Sequence, residues 1–331
     1  MTPPEKRYFL LEIGCEEIPH GTIAPALEYL QGGLTALAQR ERLGDLVLDP
    51  EYLGTPRRLA VRGRGLLGHQ ADREVEVTGP RVEAAYDPSG RPTGALQGFA
   101  RSQGVAVENL TRVVTAKGEC VAARRTEKGR SASEVLASSL PDIISRIPFG
   151  KTMRWGEGSF RFARPLQWIV CLLGSEVVPF DLAGISSGRR SRGPRFDRSP
   201  ELEIPDARDY VAILQRHGVL ADLRERRRRI QEGVERECAR LGAGSTSEDL
   251  PELVDSLTGL VEHPVAVAGG FDPSFLSLPA PVLSTAMIHH QRFIPVRKAD
   301  GTSAPNYIAV LNCREDPSTI ATIRRGNEWV L

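Results

Sequence analysis

Tyr8-Phe9-Leu10-Leu11-Glu12-Ile13, running on into Gly14-Cys15-Glu16-Glu17-Ile18-Pro19, is the stretch on which the fold class turns. Residues 8–13 read as a strand. Pro19 and Pro25 then open a helical stretch, 26–43, in which Leu27, Leu30, Leu34, Leu37 and Ala38 recur at helical spacing. A strand followed by a helix predicts an α+β domain. Two further strand-like runs, 46–53 and 59–67, bracket a turn at 54–58. Residues 78–128 carry their own turn signals at Gly79-Pro80 and Asp87-Pro88-Ser89-Gly90, a short helix near 93–103 and a hairpin through 113–125, the pattern of a small inserted subdomain.

Farther along, Ser131 with Glu134 three residues on has the capping-box spacing and starts a helix over 131–144 that stops before Pro148. Residues 149–196 are rich in Gly, Pro and Arg around two apolar runs, 166–173 and 177–182, that read as adjacent strands. The expected division is therefore an N-terminal α+β domain over 1–148 and a second domain from Phe149 over 149–331. Helices follow at 207–216 and 221–241, broken at Gly218, and in the second the run Arg226 to Arg229 is expected on a solvated face. The region 248–260 continues helical. The part from 261 to 311 mixes short strands with a polar helix around 284–291. The chain stops at Gly326-Asn327-Glu328-Trp329-Val330-Leu331 with no helix stop signal, which leads us to expect more sequence beyond it.

The totals exclude several classes. At 331 residues, 40% hydrophobic and 26% charged, the chain has the composition of folded soluble protein with more than one core. The longest apolar run, 165–173, is too short to span a bilayer, and residues 1–10 lack a signal-peptide core, so a cytoplasmic protein without membrane attachment is expected. Five widely spaced cysteines form no C-x-x-C pair, which argues for buried apolar thiols over disulfides or zinc. The sequence shows no phosphate-binding loop, dinucleotide fingerprint or nucleophile elbow, and no cofactor is expected on this chain.

With a net charge of only +1, affinity for nucleic acid must come from local patches. Only five of the 43 basic residues are lysine, and arginine's planar fork suits phosphate, although a coding bias gives the same excess. Lys151, Arg154, Arg161 and Arg164 alternate with Trp155, Phe160 and Phe162, a mixture that fits bent or single-stranded RNA or, equally, cation–π pairs internal to the protein. Arg189, Arg192 and Arg195 sit with Arg190 among small residues that leave backbone accessible. Arg57 and Arg58 in the turn 54–58 complete the candidate phosphate contacts. His289 and His290 are adjacent and diverge by about 100° on a helix, which favours structural hydrogen bonding over shared metal or proton chemistry.

These stretches resemble, in order, the beta subunit of the two-subunit bacterial glycyl-tRNA synthetases: residues 10–19; Gly54-Thr55-Pro56-Arg57-Arg58-Leu59-Ala60-Val61; Gly98-Phe99-Ala100-Arg101; Lys151-Thr152-Met153-Arg154-Trp155 with Phe162-Ala163-Arg164-Pro165; 187–196; His263-Pro264-Val265; and 290–296. The resemblance implies a tRNA(Gly)-engaging subunit in an alpha2beta2 heterotetramer, with ATP, Mg and glycine bound by the separate alpha subunit. It implies a second domain similar to the B3/B4 type of phenylalanyl-tRNA synthetase, and a chain covering about the first half of such a subunit, without its HD-type and anticodon-binding portions. A B3/B4-like pocket would allow an editing hydrolase using His289 or His290. A docking module for the alpha subunit alone is the other alternative. Where the family usually has Gly-His-Arg-Phe, this chain has Gly193-Pro194-Arg195-Phe196, which removes a backbone donor and an imidazole.

Overall fold

The computed structural model describes residues 5–116, 118–155, 158–243, 250–298 and 300–330. Along the chain, strand β1 (Lys6–Cys15) leads to helix α1 (Ile23–Arg40), then to β2 (Gly44–Leu48), β3 (Leu53–Thr55) and β4 (Arg58–Leu67). Next come β5 (Arg73–Arg81), α2 (Val82–Ala85), α3 (Gly94–Gln103), β6 (Thr111–Thr115), β7 (Gly118–Glu127) and α4 (Ala132–Ser145). A short hairpin, β8 (Met153–Arg154) and β9 (Arg161–Phe162), precedes β10 (Leu166–Leu173), β11 (Glu176–Val177), β12 (Asp181–Leu182), β13 (Ile185–Gly188), β14 (Arg190–Arg192) and β15 (Glu201–Glu203). The remainder is α5 (Tyr210–Arg216), α6 (Leu223–Arg240), α7 (Pro251–Thr258), β16 (Pro264–Gly270), α8 (Ala280–Ser284), β17 (Ile294–Arg297), β18 (Ser303–Asn312) and α9 (Pro317–Val330). The architecture is mixed α+β and divides into two compact units.

The first unit takes the described residues within 1–40, 44–68 and 133–331. Its main sheet runs β12-β13-β10-β1-β4-β2, with β1 antiparallel to both β4 and β10. Phe149 is thus no division of the chain: β10, on the far side of that boundary, hydrogen-bonds β1 and completes its sheet. Because strand side chains alternate faces, Leu10 joins Trp168, Val170, Leu172 and Tyr210 in one core while Phe9, Leu11 and Ile13 face the other way. Gly14 lies opposite Trp168 in the ladder, and a Cβ there would sit 2.0 Å from the indole ring, so only glycine lets the ring lie across β1. A separate three-stranded sheet, β16-β18-β17, packs one face on α6 and α7 and the other on Met287, Phe293 and the α9 residues Ile320 and Ile323.

The second unit takes residues 41–43 and the described residues of 69–132, wider than the expected 78–128 because β5 and β7 pair from Arg73↔Glu127 onward. Its sheet, β5-β7-β6, is covered by α2 and α3 around Ala85, Leu96 and Val121. Asp87 accepts backbone N–H groups from Ser89 and Arg91, each at 2.8 Å, which is how the Asp87-Pro88-Ser89-Gly90 turn closes.

Other expectations shift for local reasons. The run 46–53 divides at Asp49-Pro50 into β2 and β3, since proline cannot donate to the ladder. The run 177–182 becomes two two-residue strands around Val178-Pro179-Phe180. Residues 248–249, the start of the expected helix over 248–260, lie outside the described residues, as do Gly156, Lys117 and Leu331. Of that helix, Pro251–Thr258 is observed.

All five cysteines are buried free thiols. Burial, only partly countered by Arg58 and Arg57, pushes the Cys15 thiol up to about 12. Native chain at pH 8 is therefore expected to take up well under one equivalent of iodoacetamide in the time that urea-unfolded chain takes up five, counted by intact mass. Stoichiometric native labelling of Cys15 would contradict the burial.

Candidate nucleic-acid interface

Glu12 lies in β1 between Leu11 and Ile13, in a position with no exposed surface. A carboxylate there must be paired. Arg58, the first residue of β4 and opposite Gly14, supplies the partner and is itself 0% exposed. Its Nη1 donates to Glu12 Oε1 at 3.0 Å and to Ser191 Oγ at 3.3 Å, and its Nη2 to the Arg192 carbonyl at 2.9 Å and Glu262 Oε1 at 3.1 Å. Thr55 Oγ1 donates to Glu262 Oε1 at 2.8 Å and Ser191 Oγ to Glu12 Oε1 at 2.9 Å. Arg57, 7% exposed, adds a guanidinium 4.0 Å from Glu262 Oε2 and donates to Ser199 Oγ at 3.0 Å.

Two cations face two carboxylates, and the electrostatics follow. Burial pushes the Glu12 carboxyl up against the pull of Arg58 and Ser191. For Arg58 the penalty of burial is outweighed by Glu262 and Glu12, which hold it charged. Arg58 therefore has no surface to offer RNA and Arg57 almost none, and the expectation that they contact phosphate is corrected: they tie β4 to β1, to β14 and to the segment before β16.

Above this buried layer the remaining candidates divide. Arg192 is half-buried with its guanidinium 5.3 Å from the centroid of the Trp168 ring, on which Arg57 and Arg58 also stack at 5.6 and 5.5 Å. Arg189 is half-buried and donates to the carbonyls of Ser175 at 3.0 Å and Pro205 at 3.3 Å. Arg195 is exposed and pairs with Glu17 at 3.1 Å and Glu16 at 3.6 Å. Arg189 and Arg192, with Trp168, Ser186, Ser187 and Glu201, line an open groove of about 520 Å³ beside β13 and β14. Arg190 of β14, opposite Glu203 in the ladder, pairs with Glu201 of β15 at 3.0 Å.

In and beside the hairpin β8–β9 the aromatics contact one another, and among the described residues none lies under a guanidinium: Phe149 meets Phe162 edge-on at 4.6 Å, Phe162 stacks with Phe160 at 6.1 Å, and Phe160 meets Trp155 edge-on at 5.7 Å. Arg161 is tethered through Nε to Thr152 Oγ1 at 3.0 Å, and half-buried Arg164 donates to the Ala163 carbonyl at 2.9 Å. Lys151 and Arg154 are exposed and carry no ion pair among the described residues.

His289 and His290 close a π-helical turn, Thr285–His290, and both are exposed, followed by Arg292 with φ of 57°. The buried polar partners Glu12 and Glu262 were not singled out in the sequence; the available signal was a lone acid inside an apolar strand and another in Leu260-Val261-Glu262-His263. Arg226, expected on a solvated face, is fully buried: its Nε donates to the Thr258 carbonyl at 2.8 Å, Nη2 to that of Gly54 at 2.7 Å, and Nη1 to that of Leu220. Among the described residues no helix is long and apolar enough to cross a membrane.

Against known proteins, a family model described as the glycyl-tRNA synthetase beta subunit matches residues 9–331. Among curated proteins the chain is 42% identical over 324 residues to the glycine–tRNA ligase beta subunit of Geobacter metallireducens, covering 97% of this chain and 46% of the relative. It is 42% identical over 322 residues to that of Desulforudis audaxviator, with the same coverage, and 41% identical over 325 residues to that of Moorella thermoacetica, covering 98% of this chain and 46% of the relative. The chain spans a little under half the length of the curated relatives it matches.

Proposed function

The chain belongs to the glycyl-tRNA synthetase beta subunit family, and on that ground we propose that it handles tRNA(Gly) within glycine–tRNA ligase while a separate alpha subunit activates glycine with ATP and Mg. The observation that carries this reading is the coincidence of the family match with exposed cations at Lys151, Arg154 and Arg195 and half-buried ones at Arg189 and Arg192. Such a surface holds a polyanion through phosphate contacts whose free energy is largely counterion release. On this reading the working assembly is an alpha2beta2 heterotetramer in the cytoplasm.

Two measurements test it. The purified chain is expected to bind a tRNA(Gly) transcript yet to give no glycine-dependent ATP–pyrophosphate exchange until the alpha subunit is added. Replacing Arg189, Arg192 and Arg195 together by glutamine is expected to weaken tRNA binding and to lower the slope of log K against log salt by about one for each phosphate no longer neutralised. Unchanged affinity and slope in that variant, or robust exchange by the chain alone, would overturn the proposal.

A further inference from the structure

In the β8–β9 ladder Arg154 lies directly opposite Arg161, and Met153 opposite Phe162. Like charges facing each other across a two-pair ladder destabilise it unless an anion sits between them. The local supply of anions is poor: residues 150–164 hold four cations, Lys151, Arg154, Arg161 and Arg164, against the single acid Glu157, which lies outside the described residues. Beside the cations, Phe149, Trp155 and Phe160 are each half-exposed, and their edge-on and stacked contacts run on to the buried Phe162 ring. Met153, 40% exposed, extends the same apolar surface.

Cations beside half-exposed aromatic rings match one class of partner, a nucleic-acid strand whose bases are not already paired. A duplex could offer phosphates to Arg154 and Arg161 but no free base face to Trp155 or Phe160. A protein segment could cover the rings but would have to bring acids to relieve the arginine pair. Resting on the tRNA-handling reading above, we propose that the β8–β9 hairpin grips an unpaired stretch of RNA, with a phosphate bridging Arg154 and Arg161 and a base stacked on the Trp155–Phe160 surface. The hairpin thereby selects single-stranded RNA over helical RNA, whereas the groove at Arg189 and Arg192 contacts phosphate without regard to pairing.

The test measures the 331-residue chain against a fluorescein-labelled 12-nucleotide oligouridine and a 12-base-pair RNA duplex at matched salt. The wild-type chain is expected to prefer the single strand. Trp155→Ala is expected to weaken oligouridine binding by about tenfold, within the range for loss of one stacked base, while Trp155→Phe retains most of it. Arg161→Glu is the sharper variant, because it converts the repulsive cross-strand pair into an attractive one. It is expected to keep or raise the thermal unfolding midpoint while lowering oligouridine affinity at least tenfold and its salt slope by about 0.7. If both variants bind oligouridine like wild type while the triple glutamine variant at Arg189, Arg192 and Arg195 still fails to hold tRNA, the hairpin proposal falls and the tRNA-handling reading stands. If the wild-type chain binds neither RNA nor tRNA, the broader reading falls as well. Equal affinity for duplex and single strand, or loss of alpha-subunit binding in Trp155→Ala with RNA binding intact, overturns the assignment of the hairpin to unpaired RNA.

Discussion

Arg58→Ala is expected to destabilise the chain by about 3–5 kcal/mol, seen as a lower urea midpoint, because it leaves Glu12 and Glu262 buried without their main cation. The size follows from geometry more than from Coulomb attraction. Arg58 donates to two carboxylates, two hydroxyls and a main-chain carbonyl, so truncation leaves all of these to be satisfied elsewhere in a space with no solvent. A paired replacement separates charge from packing. Arg58→Met with Glu12→Leu removes one buried cation and one buried carboxylate together, leaves Glu262 facing Arg57, and is expected to cost less than Arg58→Ala alone. If Arg58→Ala moved stability by less than about 1 kcal/mol, the buried network would not be what holds β4 to β1.

Arg226→Ala has a comparable expected cost, about 3–5 kcal/mol, by a different route. One planar guanidinium on α6 reaches the carbonyl of Gly54 in β3, that of Leu220 before the helix and that of Thr258 at the end of α7. Each carbonyl stripped of its donor and kept dry costs about 1–3 kcal/mol. Burial pushes this guanidinium down to about 10, against the pull of Glu262 and Asp222, so it stays charged at neutral pH. Arg226→Lys is expected to recover little, since a single ammonium cannot span three carbonyls held by three segments. A lysine variant with wild-type thermal unfolding would show that the fork geometry is unimportant.

What the sequence disclosed and what it hid divide along a physical line. Periodicity reports burial through runs of like residues, so the strand at Leu166–Leu173, the helix beginning after Ser131 and the stripe of Leu27, Leu30, Leu34 and Leu37 on α1 were legible within a few residues. Pairing partners are not periodic. Nothing in the local pattern of 149–173 says that β10 lies beside a strand some 150 residues earlier, which is why Phe149 read as a boundary. α9 went unforeseen although Asp316 caps it, accepting from Thr319 N at 2.8 Å, because its apolar face is only the half-buried pair Ile320 and Ile323. The candidate site shows the same division. Arginine content pointed to phosphate, but whether an arginine faces water or a carboxylate depends on what the fold brings opposite it. Arg58, Arg57 and Arg226 were indistinguishable in sequence from Arg154, which is exposed and has no ion pair among the described residues.

The pairing of β1 with β10 also sets an order of events at the ribosome. β1 and β4 can zip together once Leu67 has emerged, but the other edge of β1 must wait for about a hundred further residues, roughly 5–20 s at ordinary elongation rates of about 5–20 residues per second. Throughout that interval Phe9, Leu10, Leu11 and Ile13 belong to a strand with one bare flank, the state in which nascent chains adhere to one another. Crowded or overdriven synthesis is therefore where this polypeptide is most exposed to loss, before any RNA is within reach.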